Sequence, residues 1–70
     1  MKEVIKNNVY ALRSKQGFTQ EALAEKLGVS RQTVIAIEKG NYTPSVLLAI
    51  KIATLFGQPV EKVFSLHYEK

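Results

Sequence analysis

The sequence has no cysteine, no aspartate and no tryptophan, and its only histidine is His67. Without cysteine the chain cannot form a disulfide, a thiolate metal site or a catalytic thiol. The shortage of histidine and aspartate excludes a Ser-His-Asp triad, an HExxH zinc site, an EF-hand loop and a zinc finger. We therefore expect a protein that is not an enzyme and that uses no metal and no cofactor.

Long apolar stretches are also missing. The longest apolar run covers residues 46–50, which is far too short to span a bilayer. Residues 1–6 lack the apolar stretch of a signal peptide. These absences predict a cytoplasmic protein with no membrane partner.

The length of the chain limits what the fold can contain. Its 70 residues predict a single domain, residues 1–70, with a small core and marginal stability. Small scaffolds usually add disulfides, a metal or a second subunit, and of these only the second subunit remains. A separate sensor domain does not fit, so we expect no small-molecule ligand.

The chain is basic. Ten lysines and arginines against six glutamates give a net charge of +4 and a pI near 9.6. This balance is typical of a protein whose partner is a polyanion, most often nucleic acid. It also suits simple solubility, and charge alone leaves both interpretations open.

Glycine, proline and cap residues divide the chain into short helices. Good N-cap residues and glycines at helix ends predict helices at about 9–16, 20–27, 31–39, 46–56 and 60–64. The alternating segment at 64–69 predicts a strand, and residues 2–6 are the only candidate to pair with it. The predicted fold class is all-α, with five helices and a small antiparallel sheet formed by the N- and C-terminal segments.

The fourth predicted helix is apolar on nearly every side, which is typical of a helix buried on every side. A core built from 70 residues cannot cover all of this surface, so the excess predicts a dimer interface. The candidate interface residues on this helix are Leu47 and Leu55.

Residues 19–39 place two short helices around a tight turn at Gly28, which predicts a helix-turn-helix. Arg31 and Gln32 follow the Ser30 N-cap of its second helix, where base-reading side chains lie when a helix enters the major groove. Arginine can make two hydrogen bonds to guanine, and glutamine can make two to adenine. Ile35 cannot hydrogen-bond to a base, but it can contact a thymine methyl group.

The sequence resembles a known family over almost all of its length, from about residue 9 to residue 64. The motifs that carry the resemblance are LRSKQGFTQEALAEKLGVSRQTV, IAIEKGNYTPS and LLAIKIATLFGQPVEKVF. They are similar to those of the Cro/CI-type helix-turn-helix regulators, the XRE family, and most similar to the short stand-alone members of the cytolysin-operon repressor type. The resemblance implies a lambda-repressor-like DNA-binding domain that dimerises through its last helix and terminal strands, which adds Phe64, Leu66 and Tyr68 to the candidate interface residues.

The resemblance also implies residue roles. The base-reading positions are Arg31, Gln32, Thr33 and Ile35. The phosphate-binding positions are Thr19, Gln20, Ser30, Lys39, Asn41 and Tyr42. Arg13 and Glu38 match an arginine and a glutamate that the family pairs structurally. At Ile35 the sequence departs from the family, in which a polar residue is frequent.

Simpler interpretations stand beside these roles. Arg31 can contact either a base or a phosphate, and Ile35 can be an ordinary exposed apolar residue. On the simpler interpretation, Lys39 and Asn41 are C-cap residues with no DNA contact, and Tyr42 packs on the fourth helix with its hydroxyl free for phosphate. His67 is expected to be a strand residue near the dimer surface.

These observations predict a sequence-specific regulator of transcription that binds double-stranded DNA. We expect a repressor that acts as a homodimer on an inverted-repeat operator, with recognition helices about 34 Å apart. The alternative is an antitoxin or a protein-interaction adaptor built on the same fold, because fold alone does not settle function.

Overall fold

The computed structural model describes all residues, 1–70. In chain order the elements are β1 (Lys2–Asn7), α1 (Val9–Lys15), α2 (Gln20–Leu27), α3 (Arg31–Lys39), α4 (Val46–Phe56), α5 (Val60–Val63) and β2 (Phe64–Glu69). The five helices and the antiparallel pairing of β1 with β2 are confirmed. The label all-α is too narrow, because the two strands each contain six residues and form a regular sheet.

Side-chain caps set the starts of the three longest helices. The hydroxyl of Thr19 accepts a hydrogen bond from the Ala22 amide at 3.0 Å, at the start of α2. Ser30 does the same for α3, and Ser45 does so for α4. These bonds satisfy amides that have no partner inside the helix.

The first helix begins at the predicted Val9 and differs from the prediction at its C-terminal end. It ends at Lys15, one residue before the predicted Gln16. Asn8 holds the N-cap position, but its side chain makes no capping hydrogen bond. The oxygen of the Asn7 side chain accepts from the Val9 amide at 3.1 Å instead, because the Asn8 side chain donates to the Lys62 carbonyl.

The core consists of eleven buried residues, all of them apolar. Every helix contributes to it: Val9, Leu23, Ala24, Leu27, Val34, Ile37, Leu48, Ile52, Ala53, Phe56 and Val63. Leu55 and Phe64 are only partly buried and pack against this core. None of the five helices has the length and the continuous apolar surface that a membrane span requires.

The two-stranded sheet is tied to the helices at its inner end. The Asn7 side-chain amide donates to the Ile37 carbonyl at 2.9 Å, and the Asn8 main-chain amide donates to the Val63 carbonyl at 2.9 Å. Further out, Ile5 lies opposite Leu66. The inner end of the sheet therefore lies beside the end of α3, and the chain termini pair at its outer end, where Lys2 lies opposite Glu69.

Candidate nucleic-acid interface

The turn between α2 and α3 presents the first turn of α3 to solvent. Gly28 ends α2 in the left-handed conformation, with φ of 74°, which side-chain-bearing residues adopt only with strain. Val34 and Ile37 anchor α3 in the core. Arg31 and Gln32 are exposed, and Ile35 is half-buried on the same side of the helix.

Thr33 differs from the other three predicted base-reading residues. Its hydroxyl lies 3.0 Å from the hydroxyl of Ser30, and its main-chain amide donates to the same Ser30 oxygen. Both side chains are thus engaged in capping α3. Only one of the two hydroxyls donates in this bond, so the pair keeps one free hydrogen for a base or a phosphate.

A shallow polar depression of about 350 Å³ lies beside the start of α2. Its lining residues come from three helices and the loop before α2: Arg13, Thr19, Gln20, Glu21 and Arg31. The Arg31 guanidinium and the positive end of the α2 dipole border this space and favour an anion such as a phosphate, whereas the Arg13 guanidinium is paired with Glu38. Glu21 contributes an opposing negative charge at its edge.

Arg13 and Glu38 form an ion pair beneath this depression. Arg13 Nε donates to Glu38 Oε2 at 2.7 Å, and Arg13 Nη2 donates to Glu38 Oε1 at 3.1 Å. The two side chains are only 11% and 8% exposed. The hydrogen bond to Glu38 raises the pKa of Arg13 against the opposing effect of burial, so the guanidinium stays charged.

Gln20 is connected to this pair. Its side-chain amide nitrogen donates to Glu38 Oε1 at 3.2 Å, which leaves one of its two N–H groups for another acceptor. The structure thus brings Arg13, Gln20 and Glu38 into one network across α1, α2 and α3. Sequence reasoning linked Arg13 to Glu38 but missed the bond from Gln20, for which no local pattern exists.

Lys39, Asn41 and Tyr42 do not form one cluster. Lys39 ends α3 and borders a depression of about 340 Å³ that it shares mainly with β1 residues such as Lys6. Tyr42 borders a different depression, between the helix-turn-helix turn and the start of α4. Asn41 is exposed. Its main-chain amide donates to the Ala36 carbonyl and so satisfies one of the last carbonyls of α3.

The predicted dimer residues fall into two groups. Leu47, Leu66 and Tyr68 are exposed, whereas Leu55 and Phe64 are largely occupied by packing on the core of their own chain. Sequence reasoning missed Val46, Ile50 and Ile5 as exposed apolar residues. The first two could have been found from their spacing around Leu47, but Ile5 required the strand register.

Comparison with known proteins agrees with this arrangement. Residues 9–63 match the family model described as Helix-turn-helix, HTH_3. The chain is 54% identical over 65 residues to YgzD, an uncharacterised HTH-type transcriptional regulator of Bacillus subtilis, covering 93% of this chain and 98% of the relative. It is 57% identical over 60 residues to an uncharacterised HTH-type transcriptional regulator of Methanocaldococcus jannaschii, covering 86% of this chain and 91% of the relative.

A solved structure shows the same likeness in three dimensions. The restriction-modification controller protein C.AhdI from Aeromonas hydrophila aligns with a TM-score of 0.72 at 29% identity, over 79% of this chain and 83% of that chain. Both the sequence match and the fold cover the helix-turn-helix and the helices that pack against it. The chain therefore belongs to the XRE-type helix-turn-helix family of DNA-binding transcription regulators.

Proposed function

We propose that this protein is a sequence-specific regulator of transcription that binds an inverted-repeat operator as a homodimer. The observation that carries the proposal is the exposed first turn of α3, with Arg31 and Gln32, beside the polar depression at the start of α2. Base-reading and phosphate-binding groups have to lie together in this way if one helix is to enter the major groove.

In this proposal each group of residues has a distinct role. Arg31, Gln32 and Ile35 read base edges, and Thr33 contributes its methyl group while its hydroxyl remains in the cap. Phosphate contacts come from the start of α2 and α3 and from the loop after α3, at Thr19, Gln20, Ser30, Lys39, Asn41 and Tyr42. Lys39 lies roughly 12 Å along the axis from Arg31, since α3 has nine residues, so its phosphate contact lies well away from the bases that Arg31 reads.

Homodimerisation is supported by the apolar surface that the fold leaves uncovered. Val46 and Leu47 are 77% and 71% exposed at the start of α4, and Leu66 and Tyr68 are exposed on β2. A second copy can bury these side chains across a two-fold axis. Two copies present two recognition helices, which requires half-sites about one helical turn apart.

The finer features of the proposal follow the family resemblance. We propose a lambda-repressor-like domain of the short stand-alone type, acting in the cytoplasm on genomic DNA. We propose repression as its effect, because a dimer bound over a promoter blocks polymerase sterically. We assign it no catalytic role, no cofactor and no small-molecule effector.

The test is recovery of bound sequences from a randomised duplex pool, followed by fluorescence anisotropy at two salt concentrations. We expect an inverted repeat with half-sites about one helical turn apart. Binding that depends on salt but enriches no sequence would contradict the proposal and leave a general polyanion binder. A promoter–reporter fusion carrying the recovered operator then separates repression from activation.

Two variants test the roles separately on that operator. Gln32→Ala should cost about 1–3 kcal/mol in binding and relax specificity at one base pair. Lys39→Ala should weaken all duplexes alike and reduce the slope of log affinity against log salt by about one unit. Lys2→Ala, on the outer end of the sheet opposite Glu69, is the matched control and should leave the slope unchanged.

A second candidate function is supported by the same exposed residues of α4. An antitoxin or adaptor would use Val46, Leu47 and Ile50 to bind a different protein rather than a second copy. Sedimentation equilibrium distinguishes the two. A stable dimer favours the regulator, and a monomer that recovers no operator favours the adaptor.

A further inference from the structure

Lys51 is the one charged residue in the eleven-residue helix α4. Its Nζ donates a hydrogen bond to the main-chain oxygen of Leu27 at 2.6 Å. Leu27 is the last residue of α2, and Gly28 follows it as the left-handed C-cap. The ammonium group thus lies at the negative end of the α2 dipole, directly before the turn that leads into the recognition helix.

The hydrogen bond from Lys51 satisfies a main-chain carbonyl that has no hydrogen-bond donor within α2. The last four carbonyls of an α-helix have no partner within it. At the end of α2, the carbonyls of Ala24 and Glu25 accept from the amides of the two residues that follow the helix. The Leu27 carbonyl accepts from Lys51 instead. A side chain of α4 therefore completes the turn of the helix-turn-helix.

The neighbours of Lys51 on α4 belong to the exposed apolar surface. Ile50 is adjacent in sequence and 50% exposed, and Leu47 lies one turn earlier. Lys51 also borders both depressions that flank this stretch of α4, one with Ile50 and one with Leu47. Lys51 therefore contacts the turn before α3 and also lies among the exposed apolar side chains that a second copy can bury.

We propose that Lys51 is a positioning residue that sets the orientation of the recognition helix α3 relative to the dimer helix α4. It thereby determines which half-site spacing the dimer accepts. This inference rests on the proposed function as a dimeric operator-binding regulator. In this proposal the Lys51 ammonium group contacts neither DNA nor the second copy, because it donates to the Leu27 carbonyl.

The apolar core also joins α4 to α2 and α3, through residues such as Val34, Leu48 and Ile52. Apolar contacts are non-directional, so they hold the helices together while permitting small rotations. A hydrogen bond to a fixed carbonyl is directional and resists those rotations. Loss of the Lys51 bond should therefore change geometry more than it changes stability.

The experiment compares Lys51→Met with Lys51→Arg, which keeps a cationic donor, and with Lys62→Met as the control at an exposed lysine of α5. Each dimer is titrated with the recovered operator, with operators lengthened or shortened by one base pair between half-sites, and with a single half-site. Thermal unfolding of each variant is recorded alongside.

For Lys51→Met we expect the affinity for a single half-site to change by less than about twofold and the affinity for the operator to fall about fivefold. The penalty for altered spacing should shrink by a similar factor, because the two recognition helices are held less rigidly. Lys51→Arg should restore most of the discrimination between spacings, and Lys62→Met should behave as the unmodified protein.

Equal losses on the half-site and on the operator would overturn the proposal, since they would show an ordinary loss of folded protein. Unchanged discrimination between spacings in Lys51→Met would overturn it as well. Failure of the unmodified protein to recover any inverted repeat is a different result, which overturns the proposed function and with it the role of Lys51.

Discussion

Replacing Glu38 with alanine should destabilise the fold by about 3 kcal/mol, because it leaves the Arg13 guanidinium in a largely buried site without its carboxylate. Two hydrogen bonds from Arg13, at 2.7 and 3.1 Å, are lost together with the one from Gln20. The bond from Arg13 to the Phe18 carbonyl remains. We place the loss at the lower end of the range for buried pairs because both side chains keep some exposure, 11% and 8%.

This loss is large for so small a protein. A domain of 70 residues is typically stable by roughly 4–10 kcal/mol. Glu38→Ala should therefore keep roughly 1–7 kcal/mol of stability, and at the lower end of that range about one molecule in six is unfolded at room temperature. Urea unfolding followed by circular dichroism measures the change, at one fixed protein concentration because dimerisation contributes to the apparent stability.

Two further variants make the test specific. Glu25→Ala removes an exposed glutamate from α2 and should change stability by less than about 0.5 kcal/mol. The double variant Arg13→Met/Glu38→Leu replaces the pair by apolar side chains and should recover most of the loss. A loss below about 1 kcal/mol for Glu38→Ala, or no recovery in the double variant, would refute the argument from a stranded charge.

Three other variants test the caps, the turn and the interface. Ser45→Ala removes the α4 cap and should lower the free energy of unfolding in urea by about 1 kcal/mol. An unchanged unfolding midpoint would show that the cap does not contribute to stability. Gly28→Ala should cost about 1–2 kcal/mol through its positive φ alone, because an added Cβ would meet only Lys51 Nζ at 4.0 Å; no loss would show that the turn relaxes. Leu47→Lys should weaken the dimer at least about tenfold in sedimentation equilibrium, and an unchanged dimer would place the interface elsewhere.

Local sequence was a good guide to where the helices begin and end. Ser30 and Ser45 start α3 and α4 because a serine side chain can satisfy an amide within its own first turn. Gly28 stops α2 because glycine adopts positive φ at little cost. Such effects act over a few residues, so the sequence reveals them directly. The helix α1 begins at the predicted Val9 without a side-chain cap from Asn8, whose side-chain amide donates to the Lys62 carbonyl, a partner distant in sequence.

The candidate site was predictable in composition and less so in arrangement. Arg31 and Gln32 are exposed because their places after a cap and beside the buried Val34 follow from helical periodicity. The Thr33 hydroxyl is shared with the cap, which reduces its freedom to read a base. Lys39 borders a depression with β1 residues, and Tyr42 borders another with the start of α4, because the Asn7 side chain ties the inner end of the sheet to the Ile37 carbonyl near the end of α3.

The sequence by itself therefore determined the kind of protein this is: a short basic chain of capped helices with a helix-turn-helix, in the XRE family. Only the tertiary structure decided which side chains work together. The bonds from Gln20 to Glu38 and from Lys51 to Leu27 join residues 18 and 24 positions apart. No local propensity encodes such pairs, since they form only when packing of the apolar core brings separate helices to one place.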